Sequence, residues 1–338
     1  MIASSPLKNN YSPMKIIKKV VSFFKSLGHL FLAAGKGFVE DSVTKLSASL
    51  AYYTIFALTP LIIIVISAAS LFFGDKLSPD TQLFSEINDL IGEPATRQLQ
   101  SFVINANLSG KSTLGLIIGA VTLVIGATAI FIEIQDSINR IWKVKAIPKK
   151  GWLKMITNRL LSFSLIVSMG FLLLVSLVIN SIIVALGTQI EQYIPQVTSI
   201  VMDLATRAVT LAVVTGVFTI IFKVLPDVVI KWKPAVIGAL FTAILFSLGQ
   251  FLIGIYIEKG NPGSAFGAAG SIIIILLWIY YSAIILYFGA EFTQAYAEKY
   301  GDGIAPSKYA VHTKIIVVEK EVAVLPPQHP EDTKIETD

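Results

Sequence analysis

The chain has no cysteine, which excludes disulfide staples, thiolate metal centres and cysteine nucleophiles. Histidine is nearly as scarce. His29, His312 and His329 are the three in the chain, and none has a partner at ligand spacing, so a three-histidine metal centre has no basis. Charge is thin as well, at 14% of 338 residues. Five runs, 50–73, 114–132, 160–186, 234–257 and 271–290, contain no Asp, Glu, Lys or Arg. Each reaches the roughly 18 residues that a helix needs to cross hydrocarbon. A sixth run, 208–222, covers only about 22 Å as a helix, so it spans only if Arg207 and Lys223 snorkel outward from its ends.

What is present agrees with these absences. Apolar residues make up 54% of the chain, which predicts an all-α polytopic membrane protein with six transmembrane helices and interfacial amphipathic helices. The net charge of +5 is concentrated beside the apolar runs rather than over a soluble face, so nucleic acid is not an expected partner and membrane lipids are. Seven lysines precede residue 46, seven Lys or Arg fall in 135–159, and three in 223–233. The alternate loops are poorer: three basic against five acidic residues in 73–114, none basic in 187–203, one in 258–270. The positive-inside rule then places both termini in the cytoplasm. No short apolar core precedes a small-residue cleavage site, so no cleavable signal peptide is expected.

Three regions follow. Residues 1–37 form a basic N-terminal segment, in which Ile16, Ile17, Val20, Phe23, Phe24, Leu27, Leu30 and Phe31 recur at three and four between lysines. That pattern reads as an amphipathic helix on the membrane surface. Residues 38–300 form the membrane domain, and in its first outer loop two short helices are expected around 83–91 and 99–103. Residues 301–338 read as a mostly disordered cytoplasmic tail, with one β-prone patch at 315–318.

Polar groups at membrane depth are the places to look for function, because they are costly there and face a bundle interior or a wet cavity. At 100° per residue, Asp41, Lys45, Ala48, Tyr52 and Thr59 share a face of the first helix. Pro60 then removes an amide donor and frees the carbonyl of Phe56. Past the second run, Glu133, Asp136, Ser137 and Arg140 lie on one side and Gln135, Asn139 and Trp142 on another. Asp203 and Arg207 are spaced for a local pair. Ala239, Ala243, Ser247, Gln250 and Gly254 form a narrow strip suited to close helix packing. In the last helix Ser271, Trp278, Ser282 and Gly289 form one stripe; Tyr280, Tyr287, Glu291 and Gln294 form the opposite one. Glu291 either marks the membrane boundary or faces a cavity, paired there with Lys45, Arg140 or Arg159. The loop with Gly263, Gly267 and Gly270 permits a tight turn into a helix N-terminus, with plain close packing as its simpler role.

Several motifs fail on context. Gly110-Lys111-Ser112 lacks the first glycine of a phosphate loop, since Asn105 stands there, and no buried strand precedes it. Gly263-Ser264 has no helix-borne histidine for serine chemistry, and Gly301-Asp302 lies beyond the last span. No enzymatic activity, metal or cofactor is expected.

The segments DSVTKLSASLAYYTIFALTP (41–60), QDSINRIW (135–142) and GSAFGAAGSIIIILLWIYYSAIILYFGAEF (263–292) resemble those of the YihY/BrkB family, bacterial inner-membrane proteins once labelled ribonuclease BN. The resemblance covers roughly 38–300. It implies a six-helix fold with cytoplasmic termini in the inner membrane, and by motif position it points to Asp41, Ser47, Tyr52, Pro60, Gln135, Asn139, Trp142, Gly267, Gly270, Trp278, Tyr280, Gly289 and Glu291. It also implies a link to envelope resistance and movement of lipid-like molecules, whereas the ribonuclease label finds no acidic metal cluster to support it. The expected function is therefore a transporter or flippase-like protein for an amphiphilic or anionic envelope component. Asp41, Glu133 and Glu291 would be its gating charges, with Lys45, Arg140 and Arg159 as counter-charges. A non-transporting scaffold for envelope machinery is the rival.

Overall fold

The computed structural model describes residues 13–57, 113–147, 195–260 and 270–314, with scattered helical positions between 85 and 100 and between 168 and 183. In chain order the elements are α1 (Pro13–Glu40), α2 (43–57), α3 (Thr113–Ile141), β1 (Val144–Ala146), α4 (Pro195–Val224), β2 (Val228–Val229), α5 (Trp232–Gly260), α6 (Gly270–Tyr300), β3 (Ala305–Pro306) and β4 (Ala310–His312). Among the described residues three helical stretches are long and apolar enough to cross a membrane: Ile200–Val224, Trp232–Ile257 and Ile272–Tyr300. The first is longer than the uncharged run 208–222. Helix continues well upstream of Ala208, so its 25 residues reach about 37 Å, with Asp203, Arg207 and Lys223 inside that length. Asp203 and Arg207 form the local pair on its exposed side, at 2.8 Å. α3 is 29 residues long and contains the uncharged run 114–132. The runs 50–73, beyond Ala57, and 160–186, apart from scattered positions, lie outside the described residues.

α5 and α6 pack antiparallel through an interlock of small residues. A Cβ on Gly238 would lie 2.7 Å from Thr293 Cβ, and one on Gly289 would lie 2.9 Å from Thr242 Cβ. Each glycine is therefore the notch that seats the threonine of the facing helix. Both hydroxyls are satisfied within their own helix: Thr242 donates to the Gly238 carbonyl at 2.7 Å and Thr293 to the Gly289 carbonyl at 2.6 Å. Close approach of backbones is what holds helices together where lipid is as apolar as leucine. The strip expected along α5 is only half realised, since Ala239 and Ala243 are fully buried but Ser247 is exposed.

α1 does not rest on a surface alone. Leu30 and Ala34 are buried against α6, where Phe31 meets Phe241 edge-on at 5.2 Å and Phe241 stacks on Phe292 at 3.7 Å. The apolar stripe that reads as a membrane-facing surface thus docks, at least from Leu27 onward, on the bundle. α2 and α3 also cross closely, a Cβ on Gly126 falling 2.9 Å from Ala57 Cβ. The main core runs between α2, α3, α4, α5 and α6 and includes Val43, Leu50, Ile138, Trp142, Phe222 and Ala290.

The chain beyond Tyr300 differs from the expected disordered tail as far as Lys314. β3 pairs antiparallel with β2, and β4 with β1, so two short ribbons tie this segment to the chain following α3 and α4. The Thr313 amide adds a bond to the Lys143 carbonyl at 2.8 Å, and the Ser307 amide one to the Asp227 carbonyl at 3.0 Å. The patch 315–318 and the rest of the tail lie outside the described residues.

Candidate functional site

Two corners of the backbone meet at the strand-bearing end of the bundle. At the first, α1 ends with the Asp41 amide bonded to the Gly37 carbonyl at 2.8 Å, and Ser42, at φ 55°, turns the chain into α2. At the second, Lys143, at φ 54°, turns α3 into β1. Left-handed backbone costs a non-glycine residue about 1 kcal/mol or more, so both corners are held by their surroundings. The Lys143 ammonium supplies part of that hold by donating to the Asp41 carboxylate. Asp41 is buried, and Lys143 is about one third exposed.

Glu291 lies behind this pair. It is 5% exposed, on α6, and its charged neighbours are Asp41, Lys143 and Glu40. Its carboxylate sits directly over the α1 backbone, where a Cβ on Gly37 would come 2.7 Å from Glu291 Cδ. Its Oε1 is buried without a hydrogen-bond partner. The Trp142 indole fixes the end of α3 to α6 by donating to the Ala290 carbonyl at 3.0 Å.

A second buried node joins α3 to the α4–β2 turn. The Asn139 amide donates to the Asp227 carboxylate at 2.8 Å, and the Asp227 backbone amide returns a bond to the Asn139 oxygen at 2.8 Å. Asp227 is 2% exposed, so this two-way pairing is what makes burial of its charge tolerable. The Tyr309 hydroxyl is held above the ordinary tyrosine range, by its burial first and by the charge of Asp227 second.

In front of both nodes opens a cleft of about 420 Å³, lined by Asp41, Asp136, Asn139, Arg140, Lys143, Val144, Lys145, Ala146 and Thr313. The lining carries three cations, Arg140, Lys143 and Lys145, against two carboxylates, Asp41 and Asp136, so the cleft is net basic. Two exposed faces lead away from it. On α3, Arg140, Asp136 and Ile132 follow at four-residue intervals; on α2, Lys45, Ala48, Tyr52 and Phe56 do nearly the same. Each passes from charge to apolar within two or three turns.

Of the residues expected at a cavity, Asp41, Asn139 and Arg140 line the cleft. Gln135 and Tyr287 are buried inside the bundle, with Tyr287 beside Ser137 and the half-buried Glu133. Tyr280 is half-buried further along α6. Lys45 and Tyr52 depart from the expectation of an inward stripe. Both are exposed, and Tyr52 packs on Tyr53 at 5.9 Å and Phe56 at 4.8 Å, because α2 turns Val43, Ser47 and Leu50 toward the core instead. The nearby cation of Glu291 is Lys143 rather than Lys45 or Arg140. Gly270 opens α6, while Pro60, Arg159, Gly263 and Gly267 lie outside the described residues. Gly37, Lys143 and Asp227 escaped the sequence reading. The one signal for Asp227 was an acid in an otherwise basic turn. Lys143 had only its place after Trp142, and Gly37 had none.

A family model described as virulence factor BrkB matches residues 34–312. The chain belongs to the BrkB family. A UPF0761 membrane protein of Pseudomonas aeruginosa is 30% identical over 282 residues, 80% of this chain and 61% of the relative. One of Stenotrophomonas maltophilia is 27% identical over 289 residues, 82% and 62%, and one of Pseudoalteromonas translucida is 28% identical over 263 residues, 75% and 81%. The chain thus spans about three fifths of the length of the Pseudomonas and Stenotrophomonas relatives it matches. The names of these relatives specify a membrane protein and no chemistry. No solved structure matches the chain. The family match ends at His312, within β4, so the strand-paired segment after α6 falls inside it.

Proposed function

We propose that this BrkB-family membrane protein is a non-enzymatic transporter that moves an amphiphilic, anionic envelope component across the bacterial inner membrane, with the cleft as the entry for the anionic group. One observation carries this reading: the cleft is lined by three cations, Arg140, Lys143 and Lys145, against two carboxylates, and two helix faces run from it from charge to apolar. A guanidinium and an ammonium suit a phosphate or carboxylate, and the faces of α2 and α3 suit acyl or prenyl chains. The basic loops beside the cleft favour a cytoplasmic opening under the positive-inside rule. The experiment is translocation of a fluorescent anionic lipid in proteoliposomes, comparing the native chain with Arg140→Ala/Lys145→Ala and with Glu291→Gln. A fall of at least about tenfold in the double variant, equivalent to about 1.4 kcal/mol, is expected; native protein no faster than empty vesicles sinks the proposal.

A scaffold is the second reading, favoured by the way the buried polar groups pair among themselves, Asn139 with Asp227 and Asp41 with Lys143. It predicts no translocation and co-purification of envelope proteins that depends on the cleft end of the molecule.

A further inference from the structure

The buried charges around Glu291 do not balance. Its charged neighbours are Asp41, Lys143 and Glu40. Glu40 is exposed and has its own cation, Lys36, at 3.7 Å. That leaves two buried carboxyl groups, Asp41 and Glu291, against the single ammonium of Lys143. Tyr287, one turn away on α6, faces Ser137 and Glu133 instead. A buried negative charge without a counter-charge is strongly unfavourable, so a further positive charge belongs to the site. The buried Oε1 of Glu291, which has no hydrogen-bond partner, marks where a donor is missing.

Space decides the identity of that charge. The α1 backbone closes over the carboxylate so tightly at Gly37 that even a methyl group would collide with it, so on that side an ion with its ligand shell has no room. A proton needs none. We propose that Asp41 and Glu291 bind one exchangeable proton between them. The proton bonds to one carboxylate oxygen and is donated to the other carboxyl group, and the single negative charge remaining on the pair is neutralised by Lys143. Asp41 also lines the cleft, so water there is the source and sink of the proton. On its loss, two carboxylates face one ammonium and repel each other, and the α1–α2 corner is driven away from α6. The site stands whether or not the protein moves a cargo.

Infrared difference spectroscopy of the purified full chain tests this without reference to transport. Expected is a carboxylic-acid carbonyl band at neutral pH that shifts in heavy water, is lost in Glu291→Gln and in Asp41→Asn, and is unchanged when sodium replaces potassium. In either variant the remaining carboxylate pairs one-to-one with Lys143 and ionises. Should one variant fail to yield a single species, the other gives the same answer. A native chain without the band overturns the proposal, as does a band that persists in both variants or that sodium abolishes.

Discussion

Two sides of the same stretch of α6 are held by different physics. Along its contact with α5, Gly238, Thr242, Gly289 and Thr293 fit by shape, and no ionisable group takes part. Around Glu291 and Trp142, polar groups from α1, α3 and α6 are held by bonds between residues as far as 148 apart in the chain. The difference teaches where this molecule tolerates change. A shape-fitted seam has no adjustable partner, whereas an array of charges and amides changes its bonding when one proton or one ligand arrives.

The seam is the place to break this contrast most severely. Gly289→Leu drives a branched side chain into Thr242, and overpacking of this kind costs about 3 kcal/mol; the expected outcome is aggregated or unfolded protein by fluorescence-detected size exclusion, and a normal elution profile would deny the interlock its structural role. On the polar side, Asp227→Ala strips the Asn139 amide of its carboxylate acceptor and leaves the backbone bond from residue 227 to the Asn139 oxygen in place. Loss of a buried hydrogen bond to a charged group predicts about 2 kcal/mol lower stability, read as a lower unfolding midpoint in detergent, with Asn139→Asp worse because it buries two facing carboxylates. An unchanged midpoint would show that the strands alone hold this end.

The mildest expected effect sharpens the contrast through pH. Because Tyr309 ionises above the usual tyrosine range, the folded chain keeps a proton that the unfolded chain gives up above about pH 10. Stability therefore falls as pH rises from there through the folded-state value. Tyr309→Phe should remove that part of the alkaline slope. An identical slope in both proteins would place the hydroxyl away from Asp227.

What the sequence made legible is what repeats locally. The uncharged runs 234–257 and 271–290 reappear inside α5 and α6, the Asp203 and Arg207 spacing became an ion pair, and the intervals between Gln135, Asn139 and Trp142 put all three on the buried side of α3. What escaped depends on encounters between distant segments. Nothing near Asn139 announces Asp227, 88 residues on, and nothing near Gly37 announces that Glu291 would lie against it. Strands of two or three residues, such as β2 and β3, are too short to show an alternation. From Leu27 onward the stripe on α1 docks on the bundle, since a face suited to lipid is equally suited to the phenylalanines of α6.

The reciprocal notches of α5 and α6 have a mechanical corollary. With each threonine seated in the opposite glycine, one helix slides along the other only by unseating both pegs together, and the next register lies a full turn away, about 5.4 Å. The pair therefore behaves as a stator.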